Sequence, residues 1–266
     1  MGAPGPVTLI TGATEGIGRA LAHEFAGAGN HLFLIARNKN ALINLADRLR
    51  TSHDVTIHIC ALDLTKPPER EKLFREIENK NLTVDILVNN AAIGLCEPFA
   101  NHARDELLQL VDLNITALTD LCHQFLPPML KRNRGGILNI ASLGGMTPGP
   151  YQAAYYASKA YVISLTEALA QELAGTSLRI SVLAPGPVNT EFHRKMGAAH
   201  AFYLKAFGLM APEKVARDAI RGFNWRRTLI IPGLFNTISM LGLRLIPHTI
   251  MTPILAWLLK PCLPPD

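Results

Sequence analysis

Cysteine is scarce in this sequence, and the four that are present lie far apart. Cys60, Cys96, Cys122 and Cys262 form no C-x-x-C pair, which argues against a disulfide framework and against a zinc site. The nine histidines are equally scattered, so no metal site is expected. Buried thiols in a reducing compartment are the expected state of these residues, and a cytoplasmic location is therefore predicted.

Long hydrophobic runs are also missing. Residues 1–6 have neither the basic region nor the apolar stretch of a signal peptide. Near the other end, the longest uncharged run, 228–243, has sixteen residues. A membrane-spanning helix needs about 18 or more apolar residues, so none is expected.

Positive charge is present but unevenly distributed. From Arg194 onward there are ten Lys or Arg and three Asp or Glu, a net +7, which leaves −2 of the total +5 for residues 1–193. No lysine or arginine run or known binding motif accompanies this charge, so nucleic acid is not an expected partner. A phosphate-rich cofactor or an anionic membrane surface explains the charge better.

Short apolar runs alternate with longer segments of helical periodicity, a pattern typical of βαβ units and a parallel sheet. Strands are predicted near 6–10, 31–36, 55–61, 85–89, 136–140, 178–183 and 228–231. Helices are predicted near 17–28, 39–50, 67–79, 105–130, 153–173 and 212–223. The expected fold is α/β, a single doubly wound parallel sheet of the Rossmann type, with ligands at the carboxyl ends of the strands. We expect a catalytic domain over 1–227, followed over 228–266 by the last strand and an apolar extension.

A glycine-rich turn, TGATEGIG at 11–18, follows the first strand directly. Glycines allow a tight turn and let backbone N–H groups approach a pyrophosphate, although many strand-to-helix loops need glycine for structural reasons alone. The residues predicted to bind a dinucleotide here are Gly12, Thr14, Glu15, Gly16, Ile17 and Gly18.

The end of the second strand indicates NADP(H). An acid at this point would bind a free ribose 2′-hydroxyl, whereas an arginine accommodates a 2′-phosphate. The chain has Arg37 here and no acid, although a solvated arginine at a strand end is the structural alternative. Glu15 is expected close to the 2′-phosphate and would oppose it.

The third and fourth strands also end in candidate cofactor residues. Asp63, followed by Leu64, can accept a hydrogen bond from an adenine amino group or can cap a helix. Asn90 and Ala91 provide an amide and a small side chain where the chain must pass close to a cofactor.

Taken in order, these motifs resemble the short-chain dehydrogenase/reductase family. The resemblance rests on TGxxxGIG at 11–18, NNA at 89–91, Ser142, YxxxK at 155–159 and PG at 185–186, and it spans roughly residues 5–192. One departure is Ala92, where the family usually has glycine, and this is expected to affect packing rather than chemistry. The resemblance implies an oxidoreductase that interconverts a ketone and a secondary alcohol.

Acid-base chemistry explains why a tyrosine and a lysine would be needed at this spacing. A tyrosine, with an ordinary pKa of about 10, acts as an acid or base near neutral pH only if a cation stabilises its phenolate. Tyr155 and Lys159 are four residues apart and share one helix face. The resemblance adds that Lys159 binds the nicotinamide ribose, that Ser142 binds the substrate oxygen and that Asn114 continues a proton relay. A structural helix kink is the alternative role of Asn114.

The segment after the PG motif is expected to cover the substrate. The resemblance assigns Pro185, Gly186, Val188 and Thr190 to the cofactor and makes about 189–211 a mobile lid. Its apolar residues favour a bulky hydrophobic substrate, such as an acyl chain or a steroid. They are Met196, Phe202, Tyr203, Phe207, Leu209 and Met210.

Two other classes of protein fit the sequence less well. A serine hydrolase would need G-x-S-x-G, but Ile140 stands two residues before Ser142. A catalytically silent cofactor-binding regulator or scaffold is the main alternative, and it would be expected to lose Ser142, Tyr155 or Lys159, all of which are present.

Two expectations concern contacts with other molecules. Family members commonly pair through the helices predicted at 105–130 and 153–173, so a homodimer or homotetramer is expected. The tail has two alternatives that the sequence leaves open. It packs over the substrate entrance or a neighbouring subunit, or its segments near 238–245 and 250–259 lie in a membrane interface.

Overall fold

The computed structural model describes residues 5–198, 204 and 208–260. These residues contain a seven-stranded parallel sheet with the order β3-β2-β1-β4-β5-β6-β7. Its strands are β1 (Gly5–Thr11), β2 (Leu32–Ala36), β3 (Ile57–Ala61), β4 (Leu82–Asn89), β5 (Gly136–Ile140), β6 (Arg179–Leu183) and β7 (Leu229–Ile230). The predicted fold class is confirmed, and each strand lies within about three residues of its predicted position.

Helices cover both faces of the sheet. In the described part of the chain they are α1 (Gly16–Gly27), α2 (Lys39–Ser52), α3 (Pro67–Asn79), α4 (Arg104–Val111), α5 (Leu118–Arg132), α6 (Ala153–Glu172), the short α7 (Phe192–Lys195), α8 (Pro212–Asn224), α9 (Leu234–Leu245) and α10 (His248–Leu259). Pro67 and Pro212 begin α3 and α8, where a missing backbone N–H costs no helical hydrogen bond.

Parallel pairing sorts alternate residues of the central strands onto the two faces. Leu9 lies beside Phe33 and Leu87, and all three belong to the core beneath α3, α5 and α6. Ile10 lies beside Leu34 in the opposite core, beneath α1, α2 and α8. Because both faces are covered, the strands read as continuous apolar runs rather than as an alternating pattern.

The predicted helix over 105–130 differs from the structure. A π-helical segment, Asp112–Ala117, separates α4 from α5 and begins without a change of direction in the chain. The backbone keeps right-handed helical dihedral angles at Val111 and Leu118 on either side of this segment, and only the hydrogen-bonding interval changes from four residues to five. The sequence pattern therefore predicted one continuous helix, and the segment contains Asn114.

The tail forms two helices, α9 and α10, that the sequence analysis described only as apolar segments. Gly233, with φ +83°, turns the chain into α9, and Pro247 separates the two helices at the N-cap of α10. Across the residues that the structure describes, every helix is too short or too polar to cross a membrane. The predicted division of the chain at residue 227 stays a prediction.

Candidate active site

The site lies where the sheet order reverses, at the carboxyl ends of β1 and β4. Gly12 and Gly16 in the turn after β1 have φ of +63° and +50°, which side chains other than glycine rarely adopt. A Cβ on Gly12 would lie 2.9 Å from the Cα of Ala91, and one on Gly18 would lie 2.3 Å from the carbonyl oxygen of Gly12. Glycine is therefore needed at 12 and 18 for the loop after β4 and α1 to pack against this turn.

Hydrogen bonds join this turn to the loop after β4. The side-chain amide of Asn90 donates to the carbonyl oxygens of Thr11 and Gly12 at 2.9 and 3.0 Å. In return, the hydroxyl oxygen of Thr11 accepts from the backbone N–H groups of Asn90 and Ala91, each at 3.0 Å. Asn90 and Ala91 thus fix the shape of the glycine turn as well as lining the space above it.

The first turn of α1 borders this space, since Gly16 and Ile17 line the same cavity, and a helix N-terminus favours the binding of a pyrophosphate. Its N-cap is Glu15, whose side chain does not cap the helix. Instead the carboxylate forms an ion pair with Lys195 at the end of α7. Lys195 neutralises the acid that the sequence analysis expected to oppose a 2′-phosphate.

Two further predicted cofactor residues, Arg37 and Asp63, also line the site. Arg37 is exposed just after β2, and Asp63 is half-buried just after β3. The Asp63 carboxylate accepts from the Thr65 backbone N–H at 3.1 Å and from the Thr65 hydroxyl at 2.8 Å. One carboxylate oxygen therefore shapes the loop after β3, whereas the N-cap of α3 is Lys66, so the alternative of a helix cap at Asp63 is wrong.

Tyr155, Ser142 and Lys159 come together at the other end of the site. Ser142, directly after β5, hydrogen-bonds with Tyr155 on α6. The ammonium group of Lys159, one turn further along α6, lies 5.7 Å from the centre of the Tyr155 ring and donates to the carbonyl oxygen of Ile140 at 2.9 Å. Lys159 is 4% exposed, so its charge is held in a nearly dry environment.

Burial shifts the pKa of both groups. It raises the pKa of Tyr155 to about 12, while the hydrogen bond with Ser142 acts in the opposite direction. It lowers the pKa of Lys159 to about 8. At pH 7 the phenol is therefore protonated and the lysine is charged, which is the state needed for proton donation to a carbonyl oxygen.

Asn114 has a structural role in the π-segment. Its amide oxygen accepts from the backbone N–H of Ile93 at 3.0 Å, and its nitrogen donates to the carbonyl oxygen of Ile93 at 2.9 Å and to the hydroxyl of Ser158 at 3.0 Å. Asn114 is 1% exposed and holds the loop after β4 against α6. The predicted relay through Asn114 stays a prediction.

The predicted site residues line a single cavity of about 1290 Å³, with two exceptions. Gly18 does not reach the cavity and instead lets α1 approach the turn, and Asn114 lies behind the cavity wall. The cavity runs from Arg37 at one end, past Tyr155, to residues of the tail at the other.

The tail residues are the part of the site that the sequence analysis missed. Asn236, Ser239 and Gly242 of α9 and Met251, Leu255 and Leu258 of α10 line the cavity beyond Tyr155. Of the two alternatives for the tail, packing over the substrate entrance is therefore seen in the structure. The apolar tail sequence carried no pattern that separates cavity-lining residues from outward-facing ones.

Asn236 anchors the tail beside the PG motif. It is 7% exposed and donates to the carbonyl oxygen of Pro232 at 2.8 Å and to the sulfur of Met210 at 3.1 Å. A Cβ on Gly186 would lie 2.5 Å from its amide oxygen, so Gly186 must be glycine for α9 to pack here.

The predicted lid is only partly described. Phe192 of α7 packs against Tyr155 with ring centres 5.4 Å apart, and Met196 is buried beside Cys96. Met210 pairs with Val188 in a short parallel bridge, so the segment begins and ends at adjacent points. Leu209 is 47% exposed, and Phe202, Tyr203 and Phe207 lie outside the described residues.

A family model described as "short chain dehydrogenase" matches residues 6–201. The chain belongs to the short-chain dehydrogenase/reductase family. It is accordingly an oxidoreductase that uses a nicotinamide cofactor and acts on a carbonyl or alcohol group. The predicted motifs at 11–18, 142 and 155–159 all lie within the matched part of the chain.

Three similar proteins show the range of this family. Sulfoacetaldehyde reductase 2 of Chromohalobacter salexigens is 36% identical over 188 residues, which is 70% of this chain and 74% of that protein. A short-chain dehydrogenase from Sphingobium yanoikuyae, solved in complex with NADPH, has a TM-score of 0.81 and 31% identity over 92% of this chain and 95% of that one. The bulky-bulky ketone specific alcohol dehydrogenase from Comamonas testosteroni has a TM-score of 0.77 and 29% identity over 92% and 93%.

Proposed function

We propose that this enzyme is an NADP(H)-dependent oxidoreductase that interconverts a bulky hydrophobic ketone and its secondary alcohol. The observation that carries the proposal is the position of Ser142, Tyr155 and Lys159 in the middle of one cavity. A glycine turn suited to a dinucleotide lies at one end, and a largely apolar wall lies at the other. A substrate whose carbonyl group is bound beside Tyr155 would therefore contact the cofactor on one side and the apolar wall on the other.

The turn after β1 fits a dinucleotide, because Gly12 and Gly16, which have positive φ, line the cavity together with Ile17 at the start of α1. When bound, the cofactor supplies or accepts the hydride. The residues proposed to hold the cofactor are the cofactor-binding residues predicted from the sequence, which lie between Gly12 and Thr190. The methyl group of Thr190 already lies against Gly16, so this contact closes the site around the cofactor position.

In the reducing direction, the Tyr155 hydroxyl donates its proton to the carbonyl oxygen as negative charge develops there. Ser142 donates a hydrogen bond to the same oxygen and so stabilises the developing charge. Lys159 stabilises the phenolate that remains, because its ammonium group lies beside the ring in a nearly dry environment. The oxidising direction uses the same contacts with the proton moving back to Tyr155.

The choice of NADP(H) over NAD(H) is supported by two charges. Arg37 lines the cavity at the end of β2, where a 2′-phosphate would need a cation. Lys195 pairs with Glu15 and removes the repulsion that this acid would otherwise exert. The NADPH complex of the Sphingobium yanoikuyae protein is consistent with this choice.

The substrate class is supported by the tail and the cavity size. A volume of about 1290 Å³ exceeds the range of about 300 to 1,000 Å³ for a site that holds one small ligand, so a cofactor and a large substrate can be bound together. Met251, Leu255 and Leu258 provide an apolar surface on the substrate side. The ketone specificity named for the Comamonas testosteroni protein is consistent with a large apolar substrate.

We include two further expectations in this proposal. The enzyme acts as a homodimer or homotetramer that pairs through α5 and α6, as the family resemblance implies. It works in the cytoplasm, where its buried thiols at Cys60, Cys96 and Cys122 would stay reduced.

Turnover with a panel of ketones tests the function. We expect NADPH consumption, measured by absorbance, to rise with the apolar bulk of the ketone, and Tyr155→Phe to abolish it while NADPH binding is kept. Tyr161→Phe is the matched control, because it removes a hydroxyl that bonds to Thr119 outside the cavity. Substantial turnover by Tyr155→Phe would refute the assignment, and NADPH binding without turnover of any ketone would favour the silent regulator.

A further inference from the structure

Helix α9 turns its polar face toward the protein and its apolar face outward. Its inward face carries Asn236, Ser239 and Gly242, which line the cavity. Its outward face carries Leu234, Ile238 and Leu245, which are 77%, 62% and 72% exposed. A helix on a water-exposed surface normally presents polar residues outward, so this arrangement suits an apolar environment.

Helix α10 continues the same outward apolar surface. Ile250, Ile254 and Trp257 are spaced as i, i+4 and i+7 along one helix face and are 57%, 47% and 68% exposed. Met251 and Leu255, one position further along, point to the cavity instead. Both sides of α10 are therefore apolar, although only one of them is covered by the protein.

We name six of the exposed apolar residues on the two helices the tail surface. They are Leu234, Ile238, Leu245, Ile250, Ile254 and Trp257. Single exposed apolar residues are normal in proteins, but stripes on two consecutive helices mark an interaction surface.

The charge around the tail surface indicates its partner. From 228 to 260 the tail contains no aspartate or glutamate, and its two charged residues, Arg244 and Lys260, are both basic. The tail helices have twelve residues each, too short to span a bilayer but long enough to lie in its interface. A tryptophan on such a surface suits the level of the lipid headgroups.

We propose that the tail surface docks this enzyme on an anionic membrane. A second copy of the chain is the other candidate partner. Two tail surfaces could pack together through their apolar residues alone, and such a contact would not require basic residues beside them. Lipid contact explains both the outward apolar stripes and the sign of the charge.

The docking has a consequence for substrate access, which rests on the proposed function. Ile254 is 47% exposed and also lines the cavity, so it lies at the rim between the tail surface and the site. An apolar ketone dissolved in the membrane would then enter the cavity past Ile254 without crossing water.

Flotation of the full-length protein with lipid vesicles tests the proposal. We expect binding to phosphatidylcholine vesicles that contain phosphatidylglycerol, and a loss of about tenfold or more for Ile238→Gln/Trp257→Gln, since two large apolar side chains leave the lipid. The matched control is Ile43→Gln/Trp225→Gln, which makes the same replacements at residues 37% and 64% exposed outside the tail. The control should bind as the unmodified protein does.

Each outcome decides between the possible partners. Absence of binding to anionic vesicles, or equal binding to pure phosphatidylcholine, would overturn the proposal. A change of mass in ultracentrifugation for the tail variant alone, with no vesicle binding by either protein, would assign the tail surface to a second copy. Neither substituted side chain lines the cavity, so turnover of a short, water-soluble ketone without vesicles should be unchanged and tests the proposed function separately.

Discussion

Replacing Lys159 by methionine should stabilise the folded protein while abolishing its activity. Lys159 is 4% exposed, and burial lowers its pKa from 10.5 to about 8. Below pH 8 the lysine is charged in both the folded and the unfolded chain, and the folded chain bears the cost of burying that charge. Methionine is similar in length and carries no charge, so the variant avoids this cost.

The magnitude follows from the two pKa values. A difference of one pKa unit corresponds to about 1.4 kcal/mol, so the change from 10.5 to about 8 corresponds to about 3 kcal/mol below pH 8. Against this, the variant leaves the carbonyl oxygen of Ile140 without the lysine donor, which costs about 1 kcal/mol. The Lys159→Met variant is therefore expected to be more stable than the unmodified protein by about 2 kcal/mol at pH 7.

The sign of the pH dependence makes the reasoning specific. Between pH 8 and 10.5 the unfolded lysine retains a proton that the folded lysine has lost, so the free energy of unfolding of the unmodified protein rises with pH relative to the variant. The advantage of the variant should fall through this range and disappear by pH 10.5. Tyr155, whose pKa is raised to about 12, is present in both proteins and cancels in the comparison.

Urea unfolding of both proteins at pH 7, 9 and 10.5 measures this difference. Lys72→Met, which changes an exposed lysine of α3, is the control and should change the free energy of unfolding by less than about 0.5 kcal/mol. A variant that is less stable at pH 7, or a stability difference that stays constant with pH, would refute the argument that charge burial dominates at this position.

Three further results are expected. Arg37→Ala should lower the kinetic preference for NADPH over NADH by about ten- to a hundredfold, since a charged hydrogen bond contributes about 1.5 to 3 kcal/mol, and an unchanged ratio would remove Arg37 from the selectivity site. Lys195→Ala should weaken NADPH binding, and Glu15→Gln in the same protein should restore it; a failure to restore would show that Lys195 does not act through Glu15. Analytical ultracentrifugation at micromolar concentration should show a dimer or tetramer, whereas a single monomeric species would contradict pairing through α5 and α6.

The sheet and the centre of the site could be predicted from sequence because their determinants are local. Strands buried on both faces appear as apolar runs, and Gly12 and Gly16 occupy backbone conformations that favour glycine directly after such a run. Tyr155 and Lys159 needed only the helical spacing to be placed together. The π-segment could not be predicted in this way, because Asn114 is held there by a hydrogen-bonded pair with Ile93, twenty-one positions earlier in the chain.

Contacts between distant segments were beyond the sequence patterns. The ion pair of Glu15 with Lys195 joins residues 180 positions apart, and neither residue belongs to a pattern that would indicate the other. In the same way, nothing in the tail sequence separated Asn236, which packs on Gly186, from its exposed neighbour Phe235. Burial of such residues depends on how the last two helices pack on the finished domain.

The packing of Asn236 on Gly186 brings together two parts of the cavity that come from separate stretches of the sequence. The groups proposed to carry out proton transfer lie between Ser142 and Lys159, whereas the far wall of the cavity comes from α9 and α10, about 75 to 100 positions later. Exchanging those two helices for another pair would change which molecules fit while leaving the reacting groups in place. Substrate range can therefore diverge among related enzymes through their last helices alone, provided that a glycine at 186 and a partner at 236 keep the new pair seated.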